Sequence, residues 1–260
     1  RMPLPEPAAP LLRVTSHDGW RRVPGLGRGD GVLAAQQNTT VNAGSVASTG
    51  TLGAGVNGDG SLAQAGDLSV TSGGTLTATG RNAAGGNAAL NGTAVNLAGS
   101  RTSANGALVL TASGGDLNLS GATVTAGSAL DTRASGTLTN DSGVLSSGGA
   151  QTVAAGALSN RDGQIVSGGT LNVTATSDLL NQGGTLQAAG AFSVNAGSLD
   201  NTGGHVAALG ADGLTLTTTG LLNNGASGTG VGTIGGNGNV AVQAGQIANA
   251  GSITAVQSLI

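Results

Sequence analysis

The sequence predicts an all-β fold, a single-stranded, right-handed parallel β-helix in which each coil holds about 20 residues and three short strands. A Leu-x-Asn pattern recurs at nearly constant spacing through the second half of the chain. The short segments between these repeats alternate apolar and polar residues, as half-buried strands do. Gly, which permits the positive φ angles of sharp corners, supplies 50 of the 260 residues.

The clearest repeat covers residues 179–201 and reads LLNQGGTLQAAGAFSVNAGSLDN. It holds three alternating segments separated by Gly or Asn, which predicts three strands and three corners. The pattern returns in steps of 20, 21, 20, 22 and 26 residues, with Ile in place of Leu in the last copy. Its Asn positions are Asn140, Asn160, Asn181, Asn201, Asn223 and Asn249. A period of this size indicates a solenoid.

A coil of this length favours strands over helices. Apolar residues do not recur at the i, i+3, i+4 and i+7 spacing of an amphipathic helix, and β-branched residues are common. Successive coils are expected to stack about 4.8 Å apart through parallel ladder hydrogen bonds. We expect right-handed winding by analogy with parallel β crossovers.

The chain divides into an arm and a shaft. Residues 1–30 hold all five Pro and the only Trp, Trp20, and are predicted to form an irregular arm. Residues 31–260 are predicted to form the β-helix, with irregular coils over 31–75 and regular coils over 76–260. Residues 223–233 exceed their counterparts in length, which indicates a loop at one corner. The arm lacks the pattern of a signal peptide, and the chain begins with Arg1, so we interpret the sequence as a fragment.

Composition argues against several classes of function. Charged residues make up 8% of the chain, and the net charge is −3 without a single Lys, which argues against binding to nucleic acid. No stretch approaches 18 apolar residues, so no membrane insertion is predicted. Cys is absent, and the Gly-rich segment 235–240 lacks the Asp of a calcium-binding roll. We therefore expect neither a cofactor nor a metal.

The repeat LxNxGGxIxAxGxLxVxAxxLxN, present from about Leu138 to Ala255, resembles the filamentous haemagglutinin repeat. Its clearest copies are LSNRDGQIVSGGTLNV (158–173) and LLNQGGTLQAAGAFSV (179–194). The resemblance is strong in the second half of the chain and loose over 62–137. It implies a right-handed β-helical shaft of a large exoprotein from a Gram-negative two-partner secretion system. Such exoproteins include adhesins and contact-dependent growth inhibition proteins.

The resemblance also implies location and partners. The chain is expected to be secreted and extracellular, at a Gram-negative cell surface, where it would present a distal binding or toxin region linked to virulence. Its implied partners are the remainder of a longer exoprotein, an outer-membrane transporter of the two-partner type, and receptors on host or neighbouring cells. Two alternatives share the shaft architecture: a β-helical polysaccharide lyase or hydrolase, and a fragment of an autotransporter passenger.

The six asparagines have two structural interpretations. Their side chains could stack as an amide ladder, each bonded to its neighbours in the coils above and below. Alternatively, each Asn could adopt the left-handed conformation at a corner. Both interpretations are favoured over ligand binding.

The polysaccharide-cleaving alternative needs paired carboxyl groups about 5–10 Å apart. Asp141 and Asp162 lie one coil apart near the same corner and could approach that separation. Asp116 and Asp200 fall out of register with them. His205 is expected to point outward beside Val206, as a solvated surface residue. We therefore predict that the chain is not an enzyme.

The tripeptide Arg28-Gly29-Asp30 matches a familiar integrin-binding signal. A match of three residues in a stretch rich in Gly and Arg is more simply explained by chance. Replacing Asp30 with Ala and finding host-cell binding unchanged would dismiss a role in adhesion.

Overall fold

The computed structural model describes residues 13–16, 31–57, 61–62, 65–228 and 230–260. These residues form strands, turns and connecting loops, with no helix among them. Parallel strands stack as a β-solenoid of about ten turns, roughly 21 residues apart. The structure thus confirms the predicted all-β parallel solenoid.

Each lap of the solenoid contributes strands to three columns. The first column consists of Thr39–Ala43, Leu68–Ser72, Ala88–Gly92, Leu108–Ala112, Leu130–Ala134 and Gln151–Ala155. The second column consists of Val46–Ser48, Thr75–Ala78, Ala94–Asn96, Leu117–Asn118, Thr137–Thr139 and Ala157–Ser159. Four longer strands then run through both columns without interruption: Leu171–Leu180, Phe192–Asp200, Leu214–Asn224 and Val240–Asn249.

The third column forms a separate sheet of 11 strands. Its members are Val32–Ala35, Thr51–Ala54, Arg81–Ala84, Arg101–Ala104, Thr123–Ala126, Val144–Ser147, Gln164–Ser167, Thr185–Ala188, His205–Ala208, Thr233–Gly236 and Ser252–Ala255. The first and second columns belong to one sheet of 17 strands, which also includes Arg13–Ser16. Within the predicted arm, Arg13–Ser16 pairs antiparallel with Thr39–Ala43 along the first lap.

Like side chains lie over like because neighbouring laps pair in register. In the third column, Leu145 pairs with Ile165, and Ile165 pairs with Leu186. Alternate residues of each strand point inward, so these three side chains are fully buried. Leu, Val, Ile and Ala fill the core, together with one aromatic side chain, Phe192, at 2% exposure.

A four-residue turn joins the second column to the third. In the turn 181–184, the N–H of Gly184 donates to the carbonyl oxygen of Asn181 at 3.2 Å. Gly183 has a φ of 65°, as the third residue of a type II turn requires. Gly183 thus allows the chain to turn from the second column into the third, which belongs to the other sheet.

Two insertions interrupt the regular laps. Thr39 pairs with Leu68, a longer step than the later laps take, and an antiparallel bridge between Val56 and Leu62 lies within the extra length. In the segment predicted to be a loop, Ala226–Ser227 and Gly230–Val231 form a two-stranded antiparallel hairpin. Both insertions lie at corners, so the strands on either side still stack.

The predicted repeat position Asn223 is wrong by one residue, because Leu222 and Asn224 occupy the Leu and Asn positions of this lap. Leu199 pairs with Leu222, and the strand register shifts between Thr218 and Leu221. This lap carries one extra residue at the corner between the first and second columns. As a result Leu222 is fully buried, whereas Leu221 is 42% exposed.

Candidate functional site

A ladder of asparagine side chains runs through the corner between the second and third columns. In each step, Nδ2 of one Asn donates to Oδ1 of the Asn in the next lap, at 2.7 to 2.8 Å. We call this the asparagine ladder, with members Asn140, Asn160, Asn181, Asn201, Asn224 and Asn249. The predicted member Asn223 does not lie in it, because the extra residue in its lap turns Asn223 outward. There Asn223 donates to Asp200 and Thr202.

Each inner member of the ladder, or rung, also donates hydrogen bonds to nearby backbone carbonyl oxygens. Nδ2 of Asn181 donates to the carbonyl oxygen of Gly184 in its own turn at 3.1 Å. It further donates to the carbonyl oxygen of His205 in the next lap at 3.3 Å. Asn181 is fully buried, so these contacts replace hydrogen bonds to water. The side-chain amide of Asn181 therefore stabilises its own turn and also links that turn to the next lap.

The corner conformation assigned to the asparagines belongs to a different residue. In the described part of the chain, the non-glycine residues with positive φ are Ser142 and Asp162, at 54° and 52°. Each stands two residues after a ladder Asn. The left-handed interpretation is therefore wrong for the asparagines themselves, because the strained position lies further into the turn.

The ladder depends on a glycine that the sequence pattern indicated only as part of a corner. Gly184 stands three residues after Asn181, and a Cβ there would meet the carbonyl oxygen of Asn160. It would also lie 2.7 Å from Oδ1 of Asn181 and 2.8 Å from Nδ2 of Asn160. The equivalent residues in other ladder laps are Gly143, Gly163 and Gly204. The signal was present as a recurring Asn-x-x-Gly.

The ladder begins partway along the solenoid. In the preceding laps, Leu97 and Leu119 occupy the Asn position and are fully buried. Three residues later these laps carry Ser100 and Ala122 instead of Gly. Small side chains fit there because no amide projects into the corner. In the laps from Asn140 to Asn201, the Asn and the Gly three residues later thus occur together.

A row of polar side chains lies outside the same corner. Oδ1 of Asp141 accepts hydrogen bonds from the hydroxyl of Ser159 and the N–H of Arg161. Nε of Arg161 donates to Gln182 at 2.8 Å, and Nε2 of Gln182 donates to Asp200 at 2.6 Å. The row links four successive laps through exposed or half-buried groups.

The carboxyl groups considered for catalysis, those of Asp141 and Asp162, do not lie opposite each other in neighbouring laps. Asp141 lies opposite Arg161, to which it forms an ion pair at 3.9 Å, and Asp162 takes the position opposite Ser142. The proposed pairing of Asp141 with Asp162 is thus displaced by one position. Asp116 accepts the N–H of Thr137 at 2.8 Å and helps to hold a strand end.

We expect the ion pair in this row to contribute little to stability. The Arg161 side chain is 45% exposed, and ion pairs at such positions contribute about 0–1 kcal/mol. Replacing Arg161 with Ala should lower the free energy of unfolding by about 1 kcal/mol or less, measured by chemical denaturation. Replacing Arg133, which pairs with Asp131, should have a similar effect. A loss above about 2 kcal/mol at Arg161 alone would contradict this expectation.

The remaining candidate residues lie on the surface or outside the described residues. His205 points outward, with Nδ1 2.6 Å from the hydroxyl of Thr233 in the next lap. Arg28, Gly29 and Asp30 lie outside the described residues. Among the residues the structure describes, no three His, Cys, Asp or Glu side chains gather where they could hold a metal. No helix long and apolar enough to cross a membrane occurs in the same residues.

A shallow groove of about 380 Å³ follows the corner between the first and second columns. It spans four laps, from Thr111 to Thr176, and is lined by small side chains and hydroxyl groups. The guanidinium of Arg133 lies at its edge and pairs with Asp131 at 3.0 Å. The groove offers hydroxyl donors and acceptors along the solenoid axis.

Comparison with known proteins places these features in a family. The haemagglutinin repeat family matches residues 12–57, 31–121, 104–175, 161–226 and 206–259. A segment of 75 residues is 46% identical to the tRNA nuclease CdiA-2 of Burkholderia pseudomallei (strain 1026b). That alignment covers 29% of this chain and 2% of the nuclease. No solved structure gives a significant match. Because the family matches extend over most of its length, the chain belongs to the haemagglutinin repeat family.

Proposed function

We propose that this chain is a shaft segment of a longer secreted exoprotein of the two-partner type. The shaft holds a distal binding or toxin region away from a Gram-negative cell surface. The observation that carries this proposal is the unbroken stacking of about ten similar laps. At about 4.8 Å per lap, such a stack spans roughly 50 Å along its axis.

The geometry of the laps supports a spacer. Each lap contacts mainly its neighbours, so stability accumulates lap by lap and length can vary without a change of fold. The outer faces carry Thr, Ser and Asn side chains, and the asparagine ladder lies inside. These hydroxyl groups, and the groove between Thr111 and Thr176 in which they alternate with Ala side chains, are available for contacts with surface glycans or other fibres.

The relative from Burkholderia supports the same proposal. It is named a tRNA nuclease, and the aligned segment is only 2% of its length. We assign tRNA cleavage to residues of that protein outside the aligned segment. The parent of this chain would then carry its own distal region, delivered through a two-partner transporter to receptors on host or neighbouring cells.

Deleting one whole lap from the parent exoprotein tests the role as a spacer. Removing residues 158–178 joins Ala157 to Leu179, which continues the register because Leu158 and Leu179 are partners. We expect export, surface exposure and the activity of the distal region to survive. A deletion that leaves export intact but abolishes adhesion or growth inhibition would contradict a spacer.

A half-lap deletion is the matched control. Removing residues 158–167 deletes most of one second-column strand and all of one third-column strand, so the first-column strand after the junction would follow Ala157 directly and could not pair in register with the lap before it. This variant should fail to reach the surface in folded form. Release of reducing ends from acidic polysaccharides by the purified chain would instead favour the polysaccharide-cleaving alternative.

A further inference from the structure

Buried polar atoms without a hydrogen-bond partner are concentrated in two consecutive laps. In the described residues they comprise Oδ1 of Asp131, Oδ1 of Asn140, and both Oε1 and Nε2 of Gln151. A single further atom, Oδ1 of Asn82, lies elsewhere. Most buried polar groups in folded proteins are paired, so such a local concentration marks an unusual part of the stack.

Gln151 occupies a position that is apolar in both neighbouring laps. It pairs in register with Leu130 on one side and with Leu171 on the other. All three side chains are almost completely buried. The amide of Gln151 therefore lies against leucine side chains that can neither donate nor accept a hydrogen bond.

Asn140 is the first member of the asparagine ladder. Its Nδ2 donates to Asn160, but its own Oδ1 has no donor, because Leu119 lies in the lap below. Each later inner rung both donates and accepts. The interface between the laps of Leu119 and Asn140 thus lacks a bond that the following interfaces possess.

We propose that the laps over residues 130–155 form the weakest part of the shaft and open before the laps on either side. In a solenoid, stability is the sum of lap terms and nearest-neighbour terms, so local opening starts where both are poorest. Here an unpaired amide weakens one lap, and an unpaired carbonyl weakens an adjoining interface. The strands Leu108–Ala112 and Phe192–Asp200 carry neither defect, so they should stay closed when the laps over residues 130–155 open.

Hydrogen exchange on the intact chain tests this proposal. Amides of the strands Leu130–Ala134 and Gln151–Ala155 should exchange at least about tenfold faster than those of Leu108–Ala112 and Phe192–Asp200. All four strands contribute to the first column and pair on both sides there, so hydrogen bonding alone predicts equal protection. Equal protection of the four strands would overturn the proposal.

Two variants test the cause of the difference. Gln151→Leu restores an apolar position, and the double variant Leu119→Asn with Ala122→Gly supplies a donor to Asn140 and the space that a rung needs. Gln151→Leu should slow exchange in the central strands about tenfold or more and leave Leu108–Ala112 unchanged. The double variant should also slow central exchange, but it should speed exchange of Leu108–Ala112, because Leu97 in the lap below gives the new Asn no donor. Gln243→Leu, the same substitution at an exposed position, is the control and should change none of the four strands. Central exchange that stays fast in both variants would overturn the proposal.

Discussion

Replacing Gly184 with Ala is expected to lower the free energy of unfolding by about 3 kcal/mol or more. The added Cβ would overlap the carbonyl oxygen of Asn160, which belongs to the backbone and cannot turn aside. It would also crowd the amide groups of two consecutive rungs, so the turn must move and the ladder must break. The shift of the denaturation midpoint in guanidinium chloride measures the loss.

Gly114 provides the matched control for this substitution. A Cβ at Gly114 would have its nearest neighbours in Thr93 at 3.7 Å, an ordinary contact distance. Gly114→Ala should therefore change stability by less than about 1 kcal/mol. Equal losses at Gly114 and Gly184 would show that the effect comes from glycine flexibility and not from the space beside the ladder.

Replacing Asn181 with Leu is expected to lower the free energy of unfolding by about 2–4 kcal/mol. The substitution leaves Oδ1 of Asn201 without its donor and removes the Oδ1 that Nδ2 of Asn160 uses. The carbonyl oxygens of Gly184 and His205 lose a donor as well. Chemical denaturation of the variant, compared with the native chain, measures this loss.

Two comparisons separate the ladder from a general effect of the substitution. Asn195→Leu makes the same exchange at an exposed outward position and should change stability by about 0.5 kcal/mol or less. Asn140→Leu should cost less than Asn181→Leu, because Oδ1 of Asn140 has no donor to lose. Equal losses at Asn140 and Asn181 would contradict the ladder as the source of stability.

The lap and its inward columns could be predicted from sequence because the same pattern recurs many times. Leu145, Ile165, Leu186 and Val206 recur in steps of 20 or 21 residues, and the structure stacks them in register. Repetition allows each lap to confirm the next, so an error in one copy does not obscure the period. The Leu-x-Asn pattern likewise identifies five of the six ladder positions, all except Asn224.

The sixth position shows where pattern reading reaches its limit. Leu221-x-Asn223 and Leu222-x-Asn224 satisfy the same pattern, and period alone cannot choose between them. The choice depends on whether the lap contains an extra residue at its first corner, which the register with Leu199 decides. A shift of one residue reverses every inward and outward assignment that follows it within the strand.

By itself, the sequence determined that this chain is a parallel β-solenoid of the haemagglutinin repeat kind, because period and alternation are local properties repeated along one chain. Only the tertiary structure decided which Asn joins the ladder, which Gly makes room for it, and which buried amides remain unpaired. Those features depend on atoms about 20 residues apart that meet only when one lap lies on another. The local stability of each lap is therefore set by its contacts with neighbouring laps, which the sequence of a single lap does not show.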